Sequence, residues 1–236
     1  MLTRIAVVVP AHDEEQLLPA CLDALREAAR HAPLPVDVLV VLDSCRDDTA
    51  KIATDAGVDT LAVTARNVGA ARAAGAAAML TGARGSRTPG TRADAAQADG
   101  AWLACTDADT RVGPDWFSQQ IRLAEAGADV VTGIVVVDDW SDWPDNTASA
   151  FRDAYRKGVR NGQHGHVHGA NLGLTGTAYH RAGGFRPVPV GEDQALVRAA
   201  TDAGLRVVRS TEVRVVTSAR PRARAPEGFS AYLHAL

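Results

Sequence analysis

Hydrophobic positions in the first half of the chain alternate between two kinds of segment. Short apolar runs, rich in β-branched residues, predict buried strands at residues 4–9, 36–42, 60–63 and 102–105. Between them the apolar residues recur at helical spacing, which predicts helices over residues 47 or 48 to 56 and 70–80. The first helix has the clearest apolar face, made of Leu17, Leu18, Cys21, Leu22 and Leu25. This alternation predicts an α/β fold with a mostly parallel central sheet flanked by helices.

Asp13 is expected to cap the first helix, with Gln16 at the capping-box spacing. In the second half, a strand is predicted at 130–137, helices at 146–160 and 194–203, and short strands at 207–208 and 213–216.

Two segments depart from this regular pattern. Residues 82–100 are rich in Gly, Ala, Arg, Asp and Thr without periodicity, which predicts a flexible surface insertion. The tail, residues 219–236, begins with the basic run RPRARA, and Phe229, Tyr232, Leu233 and Leu236 then recur at helical spacing. Packing on the domain or on a partner subunit is the favoured interpretation, and peripheral membrane contact is the alternative.

Size and composition narrow the class of protein. A chain of 236 residues suits a single domain, and the net charge of −3 gives no reason to expect a nucleic-acid partner. The three cysteines lie far apart without zinc spacing, which favours a reducing compartment. No apolar run approaches the ~20 residues that span a bilayer, so a soluble cytoplasmic protein is expected.

Candidate chemistry lies at the end of the strand at 102–105, where Asp107 and Asp109 follow with one small residue between them. Open α/β sheets bind ligands beyond the carboxyl ends of their strands, and two carboxylates there can hold a divalent cation that carries a diphosphate. For an isolated pair, an acidic turn that caps the next helix is the better interpretation. No GxGxxG follows the first strand, and no P-loop motif occurs, so both of those nucleotide sites are disfavoured.

Several motifs in one order give the acidic pair its context. They are VVVPAHDEE, VVLDSCRDDT, ARNVGAARAAG, TDADT, GANLGL, AGGF and GEDQAL. In this order the chain resembles the family-2 glycosyltransferases of GT-A fold over about residues 5–216. The resemblance implies a single GT-A domain, with a nucleotide-binding half at 1–110, an acceptor-side half at 111–218 and the tail at 219–236.

The resemblance also implies roles for particular residues. The side that binds the donor and nucleotide is expected to contain Pro10, Ala11, His12, Glu14, Asp43, Arg72, Asp107, Ala108 and Asp109. Within that group, Asp43 matches the aspartate that hydrogen-bonds the base, and Arg72 matches a basic residue near the phosphates. Asp107 and Asp109 match the DxD pair around a divalent metal, Mn²⁺ or Mg²⁺, and Asp193 matches the proposed catalytic base.

Other residues on the acceptor or sugar side keep two interpretations. Asn171 could bind a donor sugar hydroxyl or satisfy a buried turn, and Glu192 could act in catalysis or pair with a helix dipole. Trp140, with Trp143 nearby, is a sugar or lipid platform or else cover for the sheet.

Further positions depart from the family pattern. His12 stands where the family often has an aromatic residue or Arg, and Cys45 lies where VDDGSTD is common. Residues 217–220, where some relatives place a third metal ligand, often His, contain no His, so no protein ligand beyond the DxD is predicted, although Ser218 or Arg220 could reach the diphosphate.

The three alternating histidines His164, His166 and His168 would share one face if extended. That spacing suits a transition metal, but a polar acceptor loop is favoured because no acid or Cys lies within the run.

The leading hypothesis is a hexosyltransferase-like enzyme that moves a sugar from a nucleotide-diphospho-sugar to an unknown acceptor hydroxyl. Inversion follows from the resemblance, from the single obvious base Asp193, and from the absence of a nearby nucleophile candidate, and metal dependence follows from the DxD pair. The alternatives are a sugar nucleotidyltransferase, which would need a glycine-rich basic loop after the first strand, and a non-catalytic nucleotide-sugar binder.

Overall fold

A computed structural model describes residues 1–81, 98–221 and 229–236 of the chain. Most of the predicted insertion at 82–100 and of the basic run at 220–225 therefore lies outside the described residues. The strands are β1 (Arg4–Ala11), β2 (Val36–Asp43), β3 (Asp59–Val63), β4 (Ala101–Cys105), β5 (Thr110–Val112), β6 (Val130–Val136), β7 (Val159–Arg160), β8 (Gln163–His164), β9 (Leu172–Thr175) and β10 (Val207–Thr217). The helices are α1 (Leu18–Arg30), α2 (Thr49–Asp55), α3 (Val68–Thr81), α4 (Trp116–Glu125), α5 (Thr147–Lys157), α6 (Gly176–Arg181), α7 (Glu192–Asp202) and α8 (Phe229–His234), with a 3₁₀ turn at Gly169–Asn171.

Eight of the described strands form one central sheet, in the order β3-β2-β1-β4-β9-β6-β10-β5. The first four of these run parallel, with β1 between β2 and β4. Strand β9 runs antiparallel to both of its neighbours, and β5 closes the far edge antiparallel to β10. The predicted α/β fold with a mostly parallel sheet is confirmed.

The apolar residues of β1 explain why the sheet is covered on both faces. Ile5, Val7 and Val9 are fully buried and pack with the apolar side of α1 in one core. Ala6 and Val8 point the other way, into a second core that contains residues of α3. Because side chains alternate across a strand, an uninterrupted apolar run requires helices on both sides of the sheet.

Two predictions of local structure are wrong. Helix α1 begins at Leu18, and Asp13 does not cap it. Instead Asp13 has a positive φ of 52°, and its Oδ1 accepts a hydrogen bond from the backbone N–H of Arg46 at 2.7 Å. The two short strands predicted after residue 206 are one strand, β10, whose register with β6 shifts between Arg209 and Arg214.

None of the helices in the described ranges has the length and apolar character needed to cross a bilayer.

Candidate active site

The loops that follow β1, β2 and β4 meet at the carboxyl edge of the sheet. The backbone N–H of Glu14 donates to the Thr49 hydroxyl at 2.7 Å, and the Cys45 thiol donates to the Ala11 carbonyl at 3.3 Å. These bonds join the loop after β1 to the loop after β2. Hydrogen bonds therefore connect these two loops at the sheet edge where open α/β sheets bind their ligands.

Asp43 and His12 form the predicted base-binding part of this edge. Asp43 is buried, and its two carboxylate oxygens accept the backbone N–H groups of Arg66 and Asn67 at 2.8 and 3.0 Å. His12 Nδ1 lies 2.6 Å from the Asp43 carbonyl, and its side chain is 41% exposed. The Asp43 carboxylate thus organises the loop before α3, and the exposed His12 ring is available to a ligand.

Pro10 is half-buried beside these residues, whereas Ala11 and Ala108 are buried.

Arg72 lies in α3 with only 4% of its side chain exposed, between two carboxylates. It forms ion pairs with Asp107, from the loop after β4, and with Glu192, the first residue of α7. Burial opposes the charge, but Asp107 and Glu192 outweigh burial and raise the pKa of the guanidinium. Arg72 therefore stays charged, and it connects α3, the DxD loop and α7.

Arg220 lies just after β10, at the other member of the acidic pair. Its Nη1 and Nη2 donate to the two carboxylate oxygens of Glu14 at 2.7 and 2.5 Å, and Nη2 lies 3.1 Å from Asp109 Oδ2. Burial, reinforced by the neighbouring charge of Asp107, raises the pKa of Asp109 to about 7 even though Arg220 acts in the opposite direction. Asp109 is thus a weaker acid than an ordinary aspartate, and a nearby positive charge favours its charged form.

Asp193 lies at the N-terminus of α7, after a left-handed turn at Gly191 with φ 78°. Its Oδ2 accepts the backbone N–H of Gly169 at 2.6 Å, and its Oδ1 accepts that of Gln194 at 2.7 Å. Burial raises the pKa of Asp193, and Arg72 partly offsets that effect. A carboxylate with a raised pKa is a better proton acceptor near neutral pH than an ordinary aspartate.

Glu192, by contrast, is buried against Arg72. Its pairing with Arg72 disfavours the predicted catalytic role, and its position in the first turn of α7 agrees with the alternative, pairing with the helix dipole.

Asn171 does not face a ligand site. Its amide nitrogen donates to the carbonyls of Ile134 and Val213 at 2.9 and 3.0 Å, and its oxygen accepts the indole N–H of Trp116. Both donors are consumed in the core, so the sugar contact considered for Asn171 has no free N–H. The alternative, that it satisfies buried backbone, agrees with the structure.

Trp140 is partly buried against other aromatic residues. Its ring lies 5.4 Å from the Phe151 ring, and its indole N–H donates to the Val137 carbonyl at 3.2 Å. Trp143 likewise donates to the Ala219 carbonyl. These contacts correspond to the cover interpretation of the two tryptophans.

The three histidines form a stack with Tyr155. The His166 ring lies 3.8 Å from the Tyr155 ring, and 5.8 and 6.0 Å from those of His164 and His168. His164 Nε2 and His166 Nε2 lie 3.2 and 3.0 Å from backbone carbonyls, and His168 Nε2 lies 3.0 Å from the Tyr155 hydroxyl. The three Nε2 atoms are engaged by these oxygens, and no group of three or more metal-ligating side chains is arranged around a common point in the described ranges, which gives the transition-metal interpretation no support.

The donor set at the acidic pair fits a divalent cation with oxygen ligands. Asp107 and Asp109 provide carboxylates, and across the described ranges no group of three or more His, Cys, Asp and Glu is arranged to hold a metal. A cation at this position would thus be held by the two carboxylates together with phosphate and water oxygens. Mg²⁺ is commonly bound in that way, and Mn²⁺ accepts the same oxygen ligands.

Comparison with known proteins decides the family. The sequence model of the protein family described as glycosyltransferase like family 2 matches residues 3–234 of the chain. The chain belongs to glycosyltransferase family 2.

A relative from Serratia proteamaculans (strain 568), undecaprenyl-phosphate 4-deoxy-4-formamido-L-arabinose transferase, is 26% identical over 146 residues. That alignment covers 62% of this chain and 41% of the relative, so the matched part spans about two fifths of that protein's length.

Solved glycosyltransferase structures share the fold. The S. aureus TarS 1–349 structure has a TM-score of 0.61 at 14% identity, covering 93% of this chain and 61% of that one. The mannosyltransferase PcManGT from Pyrobaculum calidifontis, in complex with GDP-Man and Mn²⁺, has a TM-score of 0.57 at 19% identity, covering 100% and 69%. Glucosyl-3-phosphoglycerate synthase from Mycobacterium tuberculosis, in complex with Mn²⁺ and UDP-Glc, has a TM-score of 0.53 at 15% identity, covering 94% and 72%. The predicted family and the GT-A fold are confirmed.

Proposed function

We propose that this chain transfers a sugar from a nucleotide-diphospho-sugar to an acceptor hydroxyl, with inversion and with the help of a divalent cation. The observation that carries the proposal is that Asp43 ends β2 and that Asp107 and Asp109 follow β4, two strands that run parallel on either side of β1 and therefore end at one sheet edge. Arg72 pairs with Asp107 and with Glu192, the residue before Asp193. The solved relatives with GDP-Man or UDP-Glc and Mn²⁺ support a donor of this class.

In the proposed reaction the residues divide into a donor group and a base. The loop after β1 and the buried Asp43 bind the nucleotide, and Asp107 and Asp109 would hold the cation. When bound, that cation neutralises the charge that develops on the departing diphosphate. Asp193 takes the proton from the acceptor hydroxyl. At the same time the acceptor oxygen bonds to the anomeric carbon, and the bond between that carbon and the diphosphate oxygen breaks. Asp193 as the single candidate base supports inversion, because the neighbouring carboxylate of Glu192 is already paired with Arg72 and is not offered as a nucleophile.

Two further predictions stay proposals. The division into a nucleotide-binding half (1–110), an acceptor-side half (111–218) and a tail (219–236) follows from where these residues lie along the chain. A cytoplasmic location stays a prediction from the sequence, and the acceptor is undefined.

The first experiment measures free nucleoside diphosphate released from a panel of UDP- and GDP-sugars with Mn²⁺ or Mg²⁺. Metal-dependent release supports transfer. Binding of the donors without release would indicate a non-catalytic binder, and pyrophosphate formed from a nucleoside triphosphate and a sugar phosphate would indicate a nucleotidyltransferase.

The metal prediction uses calorimetry with UDP or GDP and Mn²⁺. Asp109→Ala is expected to abolish metal-dependent binding and Asp107→Ala to weaken it, because both carboxylates are ligands in the proposal. Asp55→Ala, which removes an exposed carboxylate paired with Lys51 on α2, is the control. Unchanged affinity in both site variants would contradict the metal assignment.

A further inference from the structure

Each acid of the DxD pair already has an arginine partner, and a buried glutamate holds each arginine from its other side. Arg72 joins Asp107 to Glu192, and Arg220 joins Asp109 to Glu14. Both glutamates are almost fully buried. The protein therefore supplies its own positive charge to both carboxylates that the proposed function gives to a divalent cation.

Arg220 is positioned by contacts on both sides along the chain. Its backbone N–H donates to the Ser218 hydroxyl at 3.2 Å, and the N–H of Ser218 donates to the Asp109 carbonyl at 3.2 Å. The next carbonyl, that of Pro221, accepts the Ser230 hydroxyl of α8 at 2.6 Å. These contacts fix the turn that carries Arg220 against the acidic pair, which distinguishes it from a solvated surface arginine.

The bonds of Arg220 are unequal, and this decides which of them can break. Two short bonds tie the guanidinium to Glu14, whereas Nη2 alone reaches Asp109, at the longer distance of 3.1 Å. Bidentate pairing with a carboxylate is stronger than a single contact. Arg220 is also 25% exposed, while Arg72 is 4% exposed, so Arg220 is the arginine with access to an incoming ligand.

We propose that Arg220 is an internal counter-ion that competes with the divalent cation for Asp109 and is transferred to the diphosphate of the donor when the cation binds. The proposal rests on the proposed function and assigns Arg220 a part in it. Glu14 keeps the guanidinium in place during the exchange. An anionic diphosphate provides the oxygen acceptors that Arg220 loses when the cation takes Asp109.

The exchange couples two binding events. A cation that arrives alone must displace Arg220 without compensation, so its affinity is low. A cation that arrives with a nucleoside diphosphate meets less opposition, because the phosphate oxygens accept the displaced guanidinium. By thermodynamic linkage, each of the two ligands must then raise the affinity of the other.

The test measures Mn²⁺ alone by the electron paramagnetic resonance signal of free Mn²⁺, and UDP or GDP by calorimetry with and without Mn²⁺. The variant is Arg220→Gln. The control is Arg122→Gln, which removes the same charge from an exposed ion pair between α4 and Glu212 of β10. Asp109→Asn in the Arg220→Gln background shows whether the bound Mn²⁺ uses Asp109.

The expected result is two changes of opposite sign. Arg220→Gln binds Mn²⁺ alone about tenfold more tightly, because a positive charge next to Asp109 is gone. The same variant binds the nucleotide with Mn²⁺ about tenfold more weakly, because the phosphate has lost a charged donor. Arg122→Gln changes neither affinity.

Other outcomes overturn the proposal. A charge that acts only from a distance would tighten Mn²⁺ binding equally with and without nucleotide, and an unchanged Mn²⁺ affinity would show that Arg220 does not compete. If the wild-type protein binds Mn²⁺ but none of the nucleotides, the proposed function itself fails. If the wild-type protein binds nucleotide with Mn²⁺ but Arg220→Gln does not change the two affinities in opposite directions, only the exchange fails. If Arg220→Gln is poorly folded, Glu14→Gln/Arg220→Gln removes the buried charge that the single variant leaves unpaired on Glu14, and it must show the same tightening of Mn²⁺ alone relative to Glu14→Gln.

Discussion

Arg72 and Arg220 bind the same kind of partners in different surroundings. Each connects a buried glutamate to one acid of the DxD pair, but Arg72 lies inside α3 and Arg220 lies at the end of β10. Arg72 is packed from every side, and a Cβ on Gly169 would collide with its guanidinium. Arg220 is reached by solvent.

The difference indicates which half of the site is fixed and which is exchangeable. Arg72 holds the DxD loop to α7, and its neighbour Gly169 donates to Asp193. The residue proposed as base therefore depends on the buried arginine. The residue proposed as principal metal ligand, Asp109, depends on the exposed one. Placing the base on the rigid side and the metal ligand on the exchangeable side suits a reaction in which the donor must enter and leave.

The largest expected effect comes from Arg72→Gln. It leaves the buried Glu192 without its cation, so the free energy of unfolding should fall by about 3–5 kcal/mol, the range for breaking a buried ion pair. Arg220→Gln should cost less, about 1–2 kcal/mol, because Arg220 itself is 25% exposed, so solvent screens its ion pairs more than those of Arg72. Urea denaturation of both variants checks the order, and equal losses would contradict the distinction between a fixed and an exchangeable arginine.

The second prediction concerns Asp193, on the fixed side. Asp193→Asn should lower turnover by ~10²-fold or more while leaving donor affinity near that of wild type, because the amide accepts no proton from the acceptor. Since both carboxylate oxygens accept backbone N–H groups, the variant also loses one of these bonds.

Asp202→Asn, at the other end of α7, is a control that changes the same charge. Steady-state kinetics and calorimetry together separate the two effects of Asp193→Asn. Loss of donor binding with turnover preserved would make Asp193 a donor ligand, and the base would have to be sought elsewhere.

The elements of this site could be predicted from the sequence because their signals are local. The apolar run at β4 ends in Asp107 and Asp109, and the apolar run at β2 ends in Asp43, so strand ends and acids are read from adjacent residues. The fold class follows from the same periodicity. A helix start is less secure, because Asp13 has the capping residue type but its carboxylate is used by Arg46, in the loop after β2.

The arginine pairings could not be predicted in the same way. Arg220 and Glu14 are 206 positions apart, and nothing near either residue identifies the other. The sequence indicated that Arg220 could reach a diphosphate, but it gave no indication that Glu14 and Asp109 already bind it. Asn171 shows the same limit, because its motif left a ligand contact and a buried turn both open, and the core carbonyls of β6 and β10 that decide between them are distant in sequence.

The smallest expected effect is a change of stability with pH that comes from His168, next to Gly169 on the fixed side. Burial, with His166 and His164 adding to it, lowers the pKa of His168 from 6.5 to about 4. The unfolded chain therefore binds the proton more tightly than the folded one. The stability that neutral His168 contributes is complete above the unfolded pKa and is lost as the pH falls from 6.5 toward 4.

Urea denaturation at about pH 7 and about pH 5 measures this loss. Wild-type protein should lose about 1 kcal/mol more than His168→Gln between these conditions, a value reduced from the full linkage because the ring is partly exposed. His31→Gln is the control, since His31 is an exposed histidine at the end of α1 that pairs with Glu27.

The ring of His168 lies against His166, Tyr155 and Phe229, and its Nε2 lies 3.0 Å from the Tyr155 hydroxyl, so a proton on it disturbs the segment that leads to Gly169 and Asp193. Equal pH slopes in wild type and His168→Gln would show that this segment accommodates the charge, and that the fixed side of the site is less rigid than Arg72 suggests.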